Sequence, residues 1–206
     1  LLPLIYFLTK KSHKRKLIIA LILIFVNLYF RKVSMVKSSG EFTYLEKGKG
    51  KPIILLHGLM GGVENFGDMV DFISNEFKVY GLDLKLFETP YLKCSVKNKA
   101  EYLLKFMDHL KIERATLLGN SMGGHIGLVF TKLYPKRVDS LILTGSSGLY
   151  ESAFGNSFPR RGDYDYIKTK TEEVFYDPKV ATKDLVDRVF KITNKRDTIV
   201  RLLAFA

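Results

Sequence analysis

Cysteine is nearly absent from this 206-residue chain, which contains Cys94 alone. A single cysteine excludes an intramolecular disulfide, and no Cys-x-x-Cys pair or Cys/His cluster has the spacing of metal ligands. The sequence also lacks a glycine-rich phosphate loop and a dinucleotide-binding glycine pattern. We therefore predict no cofactor and no metal. The length allows one sizeable core, so a single folded domain is the expected organisation.

Acidic residues are missing from residues 1–34, whose seven Lys and Arg side chains carry +7 of the chain's formal charge of +12. The rest of the chain therefore carries only +5. It has no basic stripe interleaved with aromatic residues, which is the usual mark of a nucleic-acid-binding surface. Because the excess charge is a feature of the N-terminus, we predict no nucleic-acid partner.

The same N-terminal segment contains an apolar run at residues 17–30, directly after a basic cluster at residues 10–16. This order is typical of a signal anchor, and no small-x-small cleavage site follows. Fourteen residues cover only about 21 Å as a helix, whereas ~20 residues usually cross a bilayer. Two interpretations stay open. Residues 17–30 form an uncleaved anchor that contacts a membrane, or translation starts at Met35 and the protein is cytoplasmic.

Short apolar runs alternate with helical patterns through the middle of the chain. Strands are predicted at residues 42–45, 53–56, 79–84, 115–118 and 141–143, and helices at residues 66–77 and 98–110. This alternation predicts an α/β fold in which helices cover both faces of a mostly parallel sheet. After residue 148 no strand-like run occurs, and the tail from residue 179 has a helical period.

The most informative motif is Gly119-Asn120-Ser121-Met122-Gly123, which lies between a predicted strand and a predicted helix. Gly-x-Ser-x-Gly in that context is typical of a nucleophile elbow, a tight turn that projects the serine Oγ above the sheet. The two glycines remove the Cβ atoms that would collide where strand and helix approach closely. Ser121 is therefore the candidate catalytic nucleophile.

A second motif, His57-Gly58-Leu59-Met60-Gly61-Gly62, ends an uninterrupted apolar run. With the elbow it resembles the α/β-hydrolase family over roughly residues 42–148. The resemblance implies an α/β-hydrolase fold whose oxyanion hole is formed by the backbone N–H groups of Leu59 and Met122. It also implies a core at residues 35–148 and a helical cap or lid at residues 149–206, with residues 1–34 as a separate segment.

The general base is not evident among the four histidines. The family places its acid and then its histidine late in the chain. His13 lies in the N-terminal segment, His109 lies on a helix before Ser121, and His57 is expected to shape the oxyanion turn. His125 is expected one helical turn below the nucleophile. We therefore expect an N-terminal portion of a hydrolase, truncated within the cap, that lacks the acid and histidine and is inactive alone.

The substrate class rests on the elbow sequence. Residues 119–125 resemble the elbows of carboxylesterases and also those of serine hydrolases that cleave carbon–carbon bonds in ring-fission products. Hydrolysis of a small-molecule acyl ester is the preferred expectation, with carbon–carbon bond hydrolysis as the alternative. A non-catalytic α/β-hydrolase-like binding protein is a further alternative, in which the absence of a triad is native.

Overall fold

A six-stranded sheet forms the centre of the computed structural model, which describes residues 36–149 and 160–205. Strands β1 to β6 are Val36–Ser39, Phe42–Lys47, Lys51–Leu56, Phe77–Leu82, Ala115–Asn120 and Val138–Thr144. Their order across the sheet is β1-β2-β4-β3-β5-β6. Strands β3 to β6 are parallel, and β2 runs antiparallel to both β1 and β4. The predicted mostly parallel sheet is confirmed.

The part of the chain that the structure describes contains six α-helices. Helices α1 to α6 are Gly67–Ile73, Val96–His109, Met122–Leu133, Tyr164–Glu172, Lys183–Asn194 and Arg196–Phe205. Short 3₁₀ turns occur at Val63–Phe66, Tyr91–Lys93, Pro135–Arg137 and Pro178–Val180. None of the described helices is both long and apolar enough to cross a membrane. The anchor predicted at residues 17–30 lies outside the described residues.

Helix starts are set by short polar side chains. Ser95 caps α2 by accepting a hydrogen bond from the Asn98 N–H at 3.2 Å, as expected of a serine N-cap. Asp163 and Thr182 cap α4 and α5 in the same way. Ser121 occupies the N-cap position of α3, yet its side chain makes no capping hydrogen bond. Its hydroxyl is therefore not used to begin the helix.

The core has two halves, one on each face of the sheet. Strand β3 contributes Ile54 and Leu56 to the face covered by α2 and α3, and Ile53 and Leu55 to the face covered by α1. All four side chains are buried, which explains why this strand reads as a continuous apolar run rather than an alternating one.

The helix predicted at residues 66–77 is wrong at both ends. Residues 63–66 form a 3₁₀ turn, α1 ends at Ile73, and Phe77 is the first residue of β4. Phe66 and Val70 are buried against the sheet, so the apolar spacing did identify the core-facing side. Phe77, the last apolar residue of the predicted helix, belongs to the sheet instead, because it pairs with Lys51 of β3.

The C-terminal helices pack on the sheet domain. Phe205 of α6 is buried in the larger core half, and Arg201 donates a hydrogen bond from Nε to the Thr89 carbonyl at 2.8 Å. Arg188 of α5 forms an ion pair with Glu64 at 2.8 Å. The helical period predicted for the tail is thus present as two helices. The division at residues 35–148 and 149–206 stays a prediction.

Candidate active site at the ends of strands β3 and β5

The two motifs meet at one edge of the sheet. Strands β3 and β5 are adjacent and parallel, with Leu56 paired to Gly119, so the turns that follow them lie side by side. A Cβ atom added to Gly58 would lie 3.3 Å from the Ser121 Cβ. The structure therefore places the turn that carries Leu59 directly against Ser121.

The backbone of Ser121 has the conformation of a nucleophile elbow. Its φ of 53° and ψ of −120° lie in a region that residues with a side chain rarely adopt. Such a conformation costs about 1–3 kcal/mol and persists only when surrounding contacts fix it. It turns the chain from the end of β5 directly into α3.

Two glycines allow this turn by letting backbone segments touch. A Cβ atom at Gly119 would lie 2.5 Å from the Gly123 carbonyl oxygen. One at Gly123 would lie 2.0 Å from the carbonyl oxygen of Leu56 in the neighbouring strand. Because both obstacles are backbone atoms, no side-chain movement could relieve them. The Gly-x-Ser-x-Gly spacing is thus required by the contact between α3 and the ends of β3 and β5.

Hydrogen bonds from β6 and the loop after it hold the elbow. The Ser121 N–H donates to the Thr144 carbonyl at 3.2 Å, and the Ser147 N–H donates to the Ser121 carbonyl at 3.2 Å. The Asn120 amide nitrogen also donates to the Thr144 carbonyl, at 3.0 Å. The end of β6 and the loop after it therefore hold Ser121 and the residue before it in place.

Two backbone donors border the elbow. Met122 is the first residue of α3, where N–H groups have no partner within the helix and the helix dipole is positive. Leu59 lies in the turn after β3, and its N–H donates no hydrogen bond to any described residue. Both positions fit the predicted oxyanion hole, and their assignment stays a prediction.

His57 has a structural role. Its Nε2 lies 3.0 Å from the Leu84 N–H, which can only donate, so Nε2 must accept. Its Nδ1 lies 2.8 Å from the Gly58 carbonyl, which can only accept, so Nδ1 carries the proton. The ring is buried, with both nitrogens hydrogen-bonded. His57 thus joins the turn after β3 to the end of β4 and cannot serve as a base in this state.

Neither of the other two described histidines forms a hydrogen bond with the Ser121 hydroxyl. His109 forms a hydrogen bond through Nε2 with Ser39 Oγ at 2.8 Å, beside the hairpin of β1 and β2. His125 lies in the second turn of α3 with its ring against Gly148, where an added Cβ would lie 2.5 Å from the His125 Cδ2. His13 lies outside the described residues.

Lys99 is a buried polar residue that the sequence reasoning missed. It is 5% exposed, and its Nζ donates a hydrogen bond to the Leu84 carbonyl at 2.7 Å, at the end of β4 next to the His57 contact. Burial lowers the pKa of Lys99 to about 8. The available signal was its spacing, because Lys99 precedes the buried Leu103 by one helical turn of α2.

Within residues 36–149 and 160–205, no group of three His, Cys, Asp or Glu side chains is placed to hold a metal ion. A surface depression of about 420 Å³ exists, but it is lined by residues at the amino ends of β3 and β4 and by residues 110–114 before β5. Ser121 follows the carboxyl end of β5. The depression is therefore at the opposite edge of the sheet from the elbow.

Comparison with known proteins agrees with this geometry. The sequence pattern of the alpha/beta hydrolase fold family matches residues 51–196. The chain belongs to this family. It is 38% identical to an alpha/beta hydrolase enzyme from the metagenome of lagoon sediments at Mar Chica, Morocco, with a TM-score of 0.63 over 82% of this chain and 63% of that one.

Two relatives have names that describe different reactions from each other. The chain is 30% identical, over 76% of its length and 45% of the relative, to the dihydrolipoyllysine-residue acetyltransferase component of the acetoin cleaving system of Pseudomonas putida. It is 29% identical, over 66% of its length and 51% of the relative, to the 2-hydroxy-6-oxo-6-(2'-aminophenyl)hexa-2,4-dienoic acid hydrolase of Metapseudomonas resinovorans. The chain thus spans about half the length of these curated relatives.

Proposed function

We propose that this α/β-hydrolase is a serine hydrolase in which Ser121 attacks the carbonyl carbon of a small-molecule substrate. The observation that carries the proposal is the strained backbone of Ser121 at the start of α3, beside the Gly58 turn. A residue held in such a conformation by backbone contacts on several sides is typical of a functional site. Its hydroxyl, free of a capping role, is available for chemistry.

In the proposed reaction, the Ser121 Oγ bonds to the carbonyl carbon and the carbonyl oxygen takes the negative charge. The N–H groups of Leu59 and Met122 would donate hydrogen bonds to that oxygen. Such preorganised donors stabilise the transition state because they need no reorientation as charge develops. With an ester, the alcohol leaves and water then releases the acid from the acyl-serine.

The proton of the Ser121 hydroxyl requires a general base, because a neutral hydroxyl is a weak nucleophile. His57 and His109 have ring nitrogens engaged in hydrogen bonds elsewhere, and His125 packs on Gly148. We infer that the base and its orienting acid come from outside the described residues.

A fluorophosphonate probe tests the nucleophile. We expect labelling of the purified protein to require Ser121 and to be lost in Ser121→Ala. Ser146→Ala is the matched control, because its hydroxyl also lies beside the elbow, where it would contact a Cβ at Gly124. Equal labelling of native protein and Ser121→Ala would reject the proposal, and so would loss of labelling in the control alone.

The backbone donor at position 59 can be removed with proline. Loss of one oxyanion donor typically lowers turnover by about 10²–10³-fold. We expect Leu59→Pro to show a loss of that size, whereas Leu59→Ala keeps the N–H and should lose far less. Urea unfolding of both variants separates this effect from loss of fold. Similar activities in two folded variants would remove Leu59 from the oxyanion hole.

Ester hydrolysis is the preferred activity, with carbon–carbon bond hydrolysis as the second candidate. The second candidate is favoured by the relative named as a hexadienoic acid hydrolase. Parallel assays with a short-chain p-nitrophenyl ester and a 2-hydroxy-6-oxohexadienoate separate them. Higher Ser121-dependent kcat/KM on the dienoate would assign the second activity. Binding of either substrate without turnover would favour a non-catalytic binding protein.

A further inference from the structure

Four exposed lysines lie together at the amino end of the parallel strands. Lys51 is the first residue of β3 and Lys49 lies two residues before it. Lys111 and Lys136 lie within four residues of the first residues of β5 and β6. The first residues of these strands are level in the sheet, since Ile53 pairs with Thr116 and Ala115 pairs with Val138. We call these four lysines the basic face.

None of the four lysines of the basic face forms an ion pair with a described residue, so no carboxylate neutralises their positive charge. Two nearby acids are already neutralised: Glu46 pairs with Lys37 and Lys78, and Asp139 pairs with Arg114. Among the described residues, Glu76 and Glu113 precede β4 and β5 at this edge and form no ion pair.

The surface depression of about 420 Å³ lies in the same region. Its cationic lining residues are Lys78, Lys111 and Arg114, against a single acid, Glu113. Lys78 and Arg114 are ion-paired with Glu46 and Asp139, so Lys111 supplies the unpaired positive charge of this recess. We propose that the basic face docks this protein on an anionic lipid bilayer.

Two observations favour a bilayer over another polyanion. Residues 1–34 have a charge of +7 and contain the apolar run 17–30. This composition is typical of a segment that binds an anionic membrane. Strand β1 runs in the same direction as β3 to β6, so Val36 is its end nearer the basic face. The basic face thus supplies a second membrane contact on the side where that segment joins the sheet, and stable attachment generally needs two signals.

The proposal fixes an orientation. Ser121 and Leu59 follow the carboxyl ends of β5 and β3, whereas the basic face lies at the amino ends. Six-residue strands separate these edges by about 20 Å. With the basic face on the bilayer, the candidate active site opens away from the lipid. This inference does not depend on the reaction at Ser121.

The test is co-sedimentation of the full chain with vesicles of phosphatidylcholine alone or mixed with phosphatidylglycerol. The test variant changes Lys49, Lys51, Lys111 and Lys136 to Glu. A Lys or Arg in contact with an anionic surface contributes about fivefold in affinity. We expect at least about a tenfold loss of binding to the anionic vesicles, and salt should weaken the native binding.

The matched control changes Lys93, Lys179, Lys191 and Lys195 to Glu, four exposed lysines outside the basic face. It alters the net charge equally and should bind within about twofold of the native chain. Equal losses in both variants, or no loss in the test variant, would overturn the proposal. Equally tight binding of a homopolymeric RNA that is lost in the test variant would also overturn it, in favour of nucleic acid.

A second measurement reports which surface of the protein faces the bilayer, whatever the affinity of residues 1–34 for lipid. In a Cys94→Ala background, a fluorophore is attached at Lys111→Cys or at Lys179→Cys, and the vesicles carry a lipid-bound quencher. We expect strong quenching at position 111 and weak quenching at position 179. The reverse order, or equal quenching, would place another surface on the bilayer.

Discussion

Replacing Ser121 by glycine should make the protein more stable while it removes the proposed nucleophile. Ser121 has a φ of 53° and a ψ of −120°, and its Cβ makes that conformation costly. The cost for a residue with a side chain is about 1–3 kcal/mol. Glycine adopts positive φ without this penalty, so the substitution should release most of it.

The effects of Ser121→Gly that lower stability are smaller than this release of strain. The Ser121 side chain makes no capping hydrogen bond, so its removal takes no such bond from α3. Greater freedom of glycine in the unfolded chain costs about 0.5–1 kcal/mol. The net expectation is a gain of about 0.5–2 kcal/mol in the free energy of unfolding. For a chain of this size, each kcal/mol corresponds to a shift of about 2–4 °C in Tm.

Urea unfolding followed by circular dichroism measures this gain. Ser121→Ala is the essential comparison, because alanine lacks the hydroxyl but keeps the Cβ and therefore the strain. The free energy of unfolding of Ser121→Gly should exceed that of Ser121→Ala by about 0.5–2 kcal/mol. At an ordinary backbone position, glycine is about 0.5–1 kcal/mol less stable than alanine. A result of that sign would refute the strain at Ser121.

Three further predictions concern packing, charge and the sheet edge. Gly123→Ala would put a Cβ 2.0 Å from a β3 carbonyl oxygen and should cost about 3 kcal/mol or more in urea unfolding, whereas Gly127→Ala meets only a side-chain methyl at 2.9 Å and should cost under about 1 kcal/mol. Because the pKa of Lys99 is about 8 when folded and 10.5 when unfolded, the unfolded state holds one more proton between those values. The stability of native protein relative to Lys99→Met should therefore rise from pH 8 to 10, by at most about 3 kcal/mol, and a fall would contradict the assignment. Ile142 on the edge strand β6 is 43% exposed, so Ile142→Lys should lower light scattering by the concentrated chain. Leu133→Lys, at a site 41% exposed at the end of α3, should not.

Elements with a strong burial signal were predictable from the sequence. Strand β3 is buried on both faces, and its continuous apolar run is what such burial requires. Strand β1 was missed because it is a short, mostly exposed strand that pairs only with β2 among the described strands. Nothing in the pattern of its side chains distinguishes it from a loop, since the hairpin with β2 specifies it.

Boundaries depended on tertiary contacts that periodicity does not contain. The apolar residues from Phe66 to Phe77 fit one helical face, yet Phe77 contributes to the sheet through its pairing with Lys51. One continuous helix would bury these apolar residues, and so would a shorter helix followed by a strand. The spacing alone does not distinguish the two structures. Lys99 shows the same limit, because its partner, the Leu84 carbonyl, is brought to it only by folding.

Both the local sequence and distant segments determine the geometry of the site. The pentapeptide around Ser121 specifies the turn, but its conformation persists because backbone from the ends of β3 and β6 and from the turn after β3 surrounds it. Strand β3 approaches Gly123 through Leu56, the turn after β3 brings Gly58 to the Ser121 Cβ, and the Thr144 carbonyl of β6 accepts the Ser121 N–H. A Gly-x-Ser-x-Gly sequence in another context would lack these contacts and would relax to an ordinary turn. The His-Gly turn at residues 57–58 therefore adds more than a second motif, since it is part of the structure that keeps Ser121 strained.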